Sequence, residues 1–193
     1  MEFRHACRRF RVDLAVSEDE VAFIIEAGRL SPSSLGLEPW HFVVVRDPGV
    51  KAQVQAAAGG QEHVGHNAVL IAVLAKKSDL VPESDYVKSI FRRLGQEQEA
   101  DLGAAFAALS KETDIVSWAV TQCHIAAANM MTAAAYCEID SCPVGNFDND
   151  RVLTALGLEK DRFEVALLIP FGHRAHPAPA RLRQPLNAIV EYR

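Results

Sequence analysis

The chain has 193 residues, of which 49% are hydrophobic, 23% charged and 7% aromatic. That length suits one domain, and the apolar fraction is enough for a real core and excludes intrinsic disorder. The net charge of −5 conceals a division: residues 1–11 and 172–193 each carry +3, all of the cations being Arg, while the middle carries −11. Either both ends are solvated tails or something anionic sits where they meet. A nucleic acid is disfavoured as the partner by the acidic centre and by the lack of aromatic residues among the basic ones.

In chain order, Ser17 and Glu20 form a capping box, and Val21, Ile24, Ile25 and Gly28 follow at helical spacing, predicting a helix to about Leu30. The segment from Ser31 to Gly36, with Pro32 and clustered Ser, reads as a loop. His41–Val45 reads as a strand, residues 50–58 as a helix, and the apolar run Ala68–Ala75 as a buried strand. Residues 86–110 have a helical pattern punctuated weakly at Gly95 and Gly103. A long Ala-rich helix is expected from Thr113, as its cap, to about Tyr136. Residues 141–146 read as a loop, Asp148 as the cap of a short helix ending near Gly157, and Phe163–Ile169 as a third strand closed by Pro170 and Gly172. Ala188–Tyr192 could add a final short strand. The pattern predicts a helix-rich α+β fold in a single domain, 1–193, without repeats or linkers.

No apolar run approaches the roughly 18 residues that span a bilayer, and the first residues lack a secretory signal, so a cytoplasmic protein without a membrane partner is the default expectation. Cys7, Cys123, Cys137 and Cys142 form no CxxC pair and read as reduced thiols. His63 with His66 lack a third ligand at a suitable spacing, and His173 with His176 lie in a Pro-rich turn, so no metal is expected. The glycines at 59, 60 and 65 follow a helix and do not make a dinucleotide fingerprint. No Ser or Cys nucleophile has a partner arrangement.

The Arg clusters can do more. Arg4 and Arg8 share a face in a helix or tight turn, and Arg181 and Arg183 share a face in an extended segment. The planar guanidinium fork matches phosphate oxygens, so two such pairs meeting in space would hold a phosphomonoester. Solvated terminal cations are the plainer alternative. Two loops could also face a ligand: Ser31–Trp40, with its Pro residues and adjacent hydroxyls, and Cys142–Phe147, where Gly145 permits close backbone approach. Each is equally an ordinary connection.

Four motifs occur in register: Arg4-His5-Ala6-Cys7-Arg8-Arg9-Phe10; Ser31-Pro32-Ser33-Ser34 with Pro39-Trp40-His41-Phe42; Ala128-Asn129-Met130-Met131 before Asp140-Ser141-Cys142-Pro143; and Arg181-Leu182-Arg183-Gln184-Pro185. Together they resemble the nitroreductase family of FMN-dependent NAD(P)H oxidoreductases, in particular its oxygen-insensitive nitroreductase and dihydropteridine-reductase-like branch, over essentially the whole chain. The resemblance implies a three-layer α/β/α fold with a mainly antiparallel central sheet, and an intertwined homodimer with FMN at the subunit interface.

By position, Arg4, Arg181 and Arg183 would hold the FMN phosphate with His5 and Ala6 beside it, and Arg8 would lie near the N1/O2 edge of the flavin. Pro32, Ser33 and Ser34 would come from the partner subunit. Pro143, Val144, Gly145 and Asn146 would line the flavin at N5, with Gln61 and His63 toward the pyrimidine or ribityl chain and Phe106 facing substrate. Three departures stand out: Ala6 and Cys7 replace hydroxyl residues, Gly145-Asn146 replaces a Glu-Gly pair, and Gly60 replaces an Asn. The chain also begins only three residues before Arg4, short of the family's usual first helix. The implied activity is ping-pong transfer of two electrons from NADH or NADPH, through FMN, to nitroaromatics, quinones or related flat acceptors. The flavin N5 does the chemistry, so no catalytic side chain is expected. A flavin reductase, or a non-catalytic flavin- or nucleotide-binding module of the same fold, is the alternative. Arg9, Arg11, Arg174 and Arg193 are left as ordinary surface charges.

Overall fold

The computed structural model describes residues 2–93 and 95–193. The apolar run read as a buried strand becomes the middle of the molecule. Strand β2 (Val69–Lys76) lies between β1 (Trp40–Val45) and β4 (Phe163–Gly172), with the two-residue β3 (Asp140–Ser141) on the far side of β4. All three pairings are antiparallel, with Val43 opposite Ala72 and Ile71 opposite Ile169.

Side chains alternate across a strand, and β2 uses both of its faces. Val69, Ile71, Val73 and Ala75 join one core cluster, while Leu70, Ala72 and Leu74 join another. The first face is covered by α1 (Glu18–Arg29), α4 (Asp85–Arg93), α5 (Gln96–Glu112) and α6 (Ile115–Tyr136). The second is covered by α2 (Pro48–Ala57), α3 (Glu62–Gly65) and α7 (Asn149–Ala155). The result is a three-layer α+β arrangement. A strand covered by helices on both sides must be apolar throughout, which is why β2 shows no polar alternation.

The capping box forms as expected: Ser17 Oγ accepts from Glu20 N, and the Glu20 carboxylate accepts from Ser17 N at 2.8 Å. Gly28 lets α1 meet α6, since a Cβ there would stand 2.8 Å from Met130 Cγ. Gly95 does separate two helices, at φ +112°, whereas Gly103 lies inside α5.

Three expectations change. The cap of α6 is Asp114, whose carboxylate accepts from Val116 N, while Thr113 instead closes α5 through its N–H to Leu109 O. Strand β4 runs past Pro170 to Gly172, because proline lacks only the donor and its carbonyl still accepts from Cys142 N. No strand forms at 188–192. The chain makes a 3₁₀ turn at Leu186–Ala188 and is exposed throughout from Ala175, where, among the described residues, no strand lies alongside to complete a ladder. Among the described residues no helix is long and apolar enough to cross a membrane.

Candidate functional site

Strand β3 is too short to be held by its own ladder, and the two chain ends complete it. Ala6 pairs with Ser141 in a parallel bridge, and Cys7 N donates to Ser141 O at 3.2 Å. The N-terminal strap then crosses to the segment after β4: Phe10 pairs with Arg174, Arg11 N donates to His173 O, and Ala175 N donates to Arg9 O.

At the centre of this junction is Asp140, only 1% exposed. Its Oδ2 accepts from Arg174 Nε at 2.9 Å and from Arg174 N at 3.0 Å, and Arg174 Nη2 stands 2.8 Å from Oδ1. The Arg174 guanidinium also lies 4.1 Å over the Phe3 ring and donates to Phe3 O. Arg174 is therefore no ordinary surface charge. It neutralises a buried carboxylate and ties both termini to the sheet. The other neighbour of Asp140 Oδ1 is His5, with Nδ1 at 3.3 Å. Burial is the main influence lowering the His5 pKa, and the guanidiniums of Arg174, Arg4 and Arg181 add to it against the opposing pull of Asp140.

The C-terminal tail returns across the strap. Arg181 donates to the carbonyls of Glu2 (2.8 Å) and Arg4 (2.6 Å). Between strap and tail lies an open cleft of about 800 Å³ lined by Arg4, His5, Ala6, Arg181 and Arg183, with Glu2 as its one acidic side chain. Arg174 is already spent on Asp140, so the cleft presents three guanidiniums against one carboxylate. The two positive ends therefore meet.

A second group gathers beside the strap. Arg8 lies near both the buried Cys142 and His63, where burial first and Arg8 second push the imidazole pKa down. Gln61 Nε2 donates to Asn146 O at 3.1 Å and to Ala58 O at 2.9 Å, joining the α2–α3 corner to the 143–146 loop. Within that loop Val144 is fixed by reciprocal hydrogen bonds with Leu168, leaving Pro143, Gly145 and Asn146 exposed. Burial pushes the Cys7 and Cys142 thiols upward, which fits packed sulfurs rather than nucleophiles.

Two sets of expected residues lie elsewhere. Pro32, Ser33 and Ser34 sit on the loop after α1, where Ser34 N donates to Gln122 Oε1 and Ser33 Oγ accepts from Glu38 N. They do not line the cleft of their own chain. Phe106, expected to face substrate, is instead fully buried, with its ring 6.3 Å from Trp118, because it is part of what fastens α5 to the core. Asp140 and Arg174 are the residues that sequence reasoning passed over. Asp140 stands inside one of the recognisable motifs, between Ile139 and Ser141.

Fold and junction define an α+β protein whose termini build an arginine-lined cleft on one edge of a helix-covered antiparallel sheet. The family model for the Nitroreductase family matches residues 1–173, and the chain belongs to that family. A Staphylococcus haemolyticus protein named "putative NAD(P)H nitroreductase" is 34% identical over 98% of this chain and 94% of its own length. A Staphylococcus saprophyticus protein of the same designation is 36% identical over 98% and 93%. Among solved structures, a Bacillus subtilis protein designated a nitroreductase superposes with a TM-score of 0.86 at 23% identity, covering 98% of this chain and 95% of that one. A similarly designated Exiguobacterium sibiricum protein, solved in complex with FMN, gives 0.84 at 22% identity, covering 100% and 94%. The three-layer architecture is thus the nitroreductase fold.

Proposed function

We propose that this chain is an FMN-dependent oxidoreductase that takes electrons from NADH or NADPH and reduces flat acceptors such as nitroaromatics or quinones by two electrons. The observation that carries the reading is the convergence of Arg4, Arg181 and Arg183 on one open cleft. Three guanidinium forks facing a single volume suit a phosphate dianion better than any neutral ligand. The family membership, the NAD(P)H named for the staphylococcal relatives and the FMN of the Exiguobacterium complex support the same reading.

On it, Arg4, Arg181 and Arg183 hold the phosphate, with His5 and Ala6 against it. Arg8 lies at the pyrimidine edge of the flavin, where a fixed cation favours the negative charge of the reduced ring. Gln61 and His63 face the pyrimidine or ribityl chain, and the Pro143–Asn146 loop borders the ring with Val144 anchoring it to β4. Bound there, FMN supplies the redox chemistry, accepting a hydride equivalent from the nicotinamide and releasing two electrons to the acceptor.

The reading includes a homodimer, with the Pro32–Ser34 loop completing the cofactor site of the other subunit. Support comes from apolar surface that the chain leaves uncovered. Phe23 of α1 and Tyr136 of α6 stand exposed with ring centroids 6.4 Å apart, Ile125 is exposed on α6, and Leu182, Leu186, Ile189 and Tyr192 are exposed on the tail. The test is a visible spectrum of the purified protein and an FMN titration, followed by NADH and NADPH oxidation with a nitroaromatic and a quinone. A colourless protein that gains no FMN would overturn the proposal. Bound FMN without NAD(P)H turnover would leave a flavin-binding module.

A further inference from the structure

The His5 ring lies between two opposite fields. Its Nδ1 is 3.3 Å from the Asp140 carboxylate, which is buried, while the ring itself lines the cleft among the guanidiniums of Arg4, Arg181 and Arg183. A neutral imidazole has one N–H. With that proton directed at Asp140, the remaining nitrogen offers a lone pair, which opposes an anion in the cleft. An imidazolium donates from both nitrogens and satisfies carboxylate and phosphate together.

We propose that His5 takes a proton from solvent as a phosphate dianion enters the cleft, becoming a cationic bridge between phosphate and Asp140, with Asp140 as the positioning residue that holds the ring. The inference rests on the FMN reading above and deepens it, because it makes cofactor retention dependent on pH.

The charges facing His5 decide the matter. From its own strap come Arg4 and Glu2 on the cleft side and Arg8 and Arg9 on the other, from β3 comes Asp140, from the segment after β4 come Arg174 and His176, and from the tail come Arg181 and Arg183. Without a ligand these are six guanidiniums and two carboxylates, and a further cation is disfavoured. Burial and Arg174, Arg4 and Arg181 accordingly hold the ring toward its neutral form. A phosphate dianion reverses the local sign. A group whose pKa is higher in the complex than in the free protein strengthens binding most fully below its free pKa. That contribution is lost as the pH rises through the bound pKa.

The experiment is calorimetric titration of the full-length apoprotein with FMN at pH 7.5, in two buffers of different ionisation enthalpy, and Kd measurement from pH 6.5 to 8.5. The second phosphate pKa is about 6, so FMN enters as a dianion. The phosphate's own titration at lower pH would release protons on binding, the opposite sign. The expected result is uptake approaching one proton per FMN and a Kd that rises up to about tenfold per pH unit in the steepest part of the curve. His5→Gln, which cannot titrate, is expected to abolish the uptake and flatten the profile while still binding FMN. Asp140→Asn, checked for folding by circular dichroism, is expected to reduce the uptake. Riboflavin, which lacks the phosphate, is expected to bind without it. Tight FMN binding with a buffer-independent enthalpy and a flat pH profile would overturn the inference and leave the cofactor reading intact. Undiminished uptake in His5→Gln would also overturn it. No FMN binding at any pH would overturn both.

Discussion

The stretch from Phe163 to Arg174 and the stretch that follows it are neighbours in sequence and opposites in structure. The first is paired along its whole length: β2 on one side, β3 and the N-terminal strap on the other, and Arg174 at its end locked to a carboxylate that is 1% exposed. The second, from Ala175 onward, is exposed at every residue, although it carries Leu182, Leu186, Ile189 and Tyr192. Phe171 is fully buried while Tyr192 is 87% exposed. The hydrophobic effect favours removing either from water, so the difference lies in available partners, not in residue type. The subunit supplies all the contacts of the first stretch. The second is tied back by the hydrogen bond of Ala175 N to Arg9 O and by the clamp of Arg181 on the carbonyls of Glu2 and Arg4, and the cleft forms where one regime gives way to the other.

If the junction at Asp140 fixes the boundary, breaking it should have the largest effect. Asp140→Ala leaves the partly buried Arg174 without its counter-charge, a loss typically of about 3–5 kcal/mol, with solvent access to Arg174 favouring the lower end. Urea denaturation should show that loss together with release of the N-terminal strap. An Asp140→Ala protein as stable as the parent would make the ion pair incidental.

Deleting residues 186–193 probes the other side of the boundary. Because these side chains are exposed in the single chain, the folded subunit should lose little. Sedimentation should move from dimer toward monomer if Leu186, Ile189 and Tyr192 are covered by a second copy, since each buried apolar side chain of that size is worth about 1.5–3 kcal/mol. On the dimer reading, an unchanged dimer would place the contact on α1, α6 and the part of the tail that holds Leu182. Arg183→Ala lies between the two cases. On the phosphate reading it should weaken FMN binding about 10- to 100-fold, as expected for a lost charge-assisted hydrogen bond, with the denaturation midpoint nearly unmoved. Equal FMN affinity in parent and variant would remove Arg183 from the site.

This boundary explains what could be read in advance. Local patterns carried the fold: the capping box at Ser17, the unbroken apolar run of β2, and the alanines that let α6 approach the sheet all act over a few residues. The meeting of the two arginine-bearing ends was also legible, because like charge concentrated at both ends raises the question of what lies between them. Asp140–Arg174 was not, since its partners are 34 residues apart and only tertiary structure reveals that the acid is buried. The same long-range dependence misdirected two assignments. Phe106 has an aromatic side chain suited to a substrate face, but packing against Trp118 claims it. Residues 188–192 have strand-like composition, but a strand needs a neighbour, and propensity does not supply one.

The smallest expected effect checks that the two regimes are separable. Ser17→Ala removes the hydroxyl that accepts from Glu20 N and leaves one donor of α1 without its cap, at a cost of about 1 kcal/mol. The change lies on the same N-terminal segment as Arg4 and His5, yet beyond the point where Phe10 and Arg11 are fastened to the segment after β4. Thermal denaturation should register the loss, a few degrees for a chain of this size, while the FMN dissociation constant should stay within about twofold of the parent. If both move together, the strap transmits helix stability into the cleft and the junction at Asp140 does not isolate it. If only stability moves, the termini hold their ligand through that junction, independently of how firmly the first helix is capped.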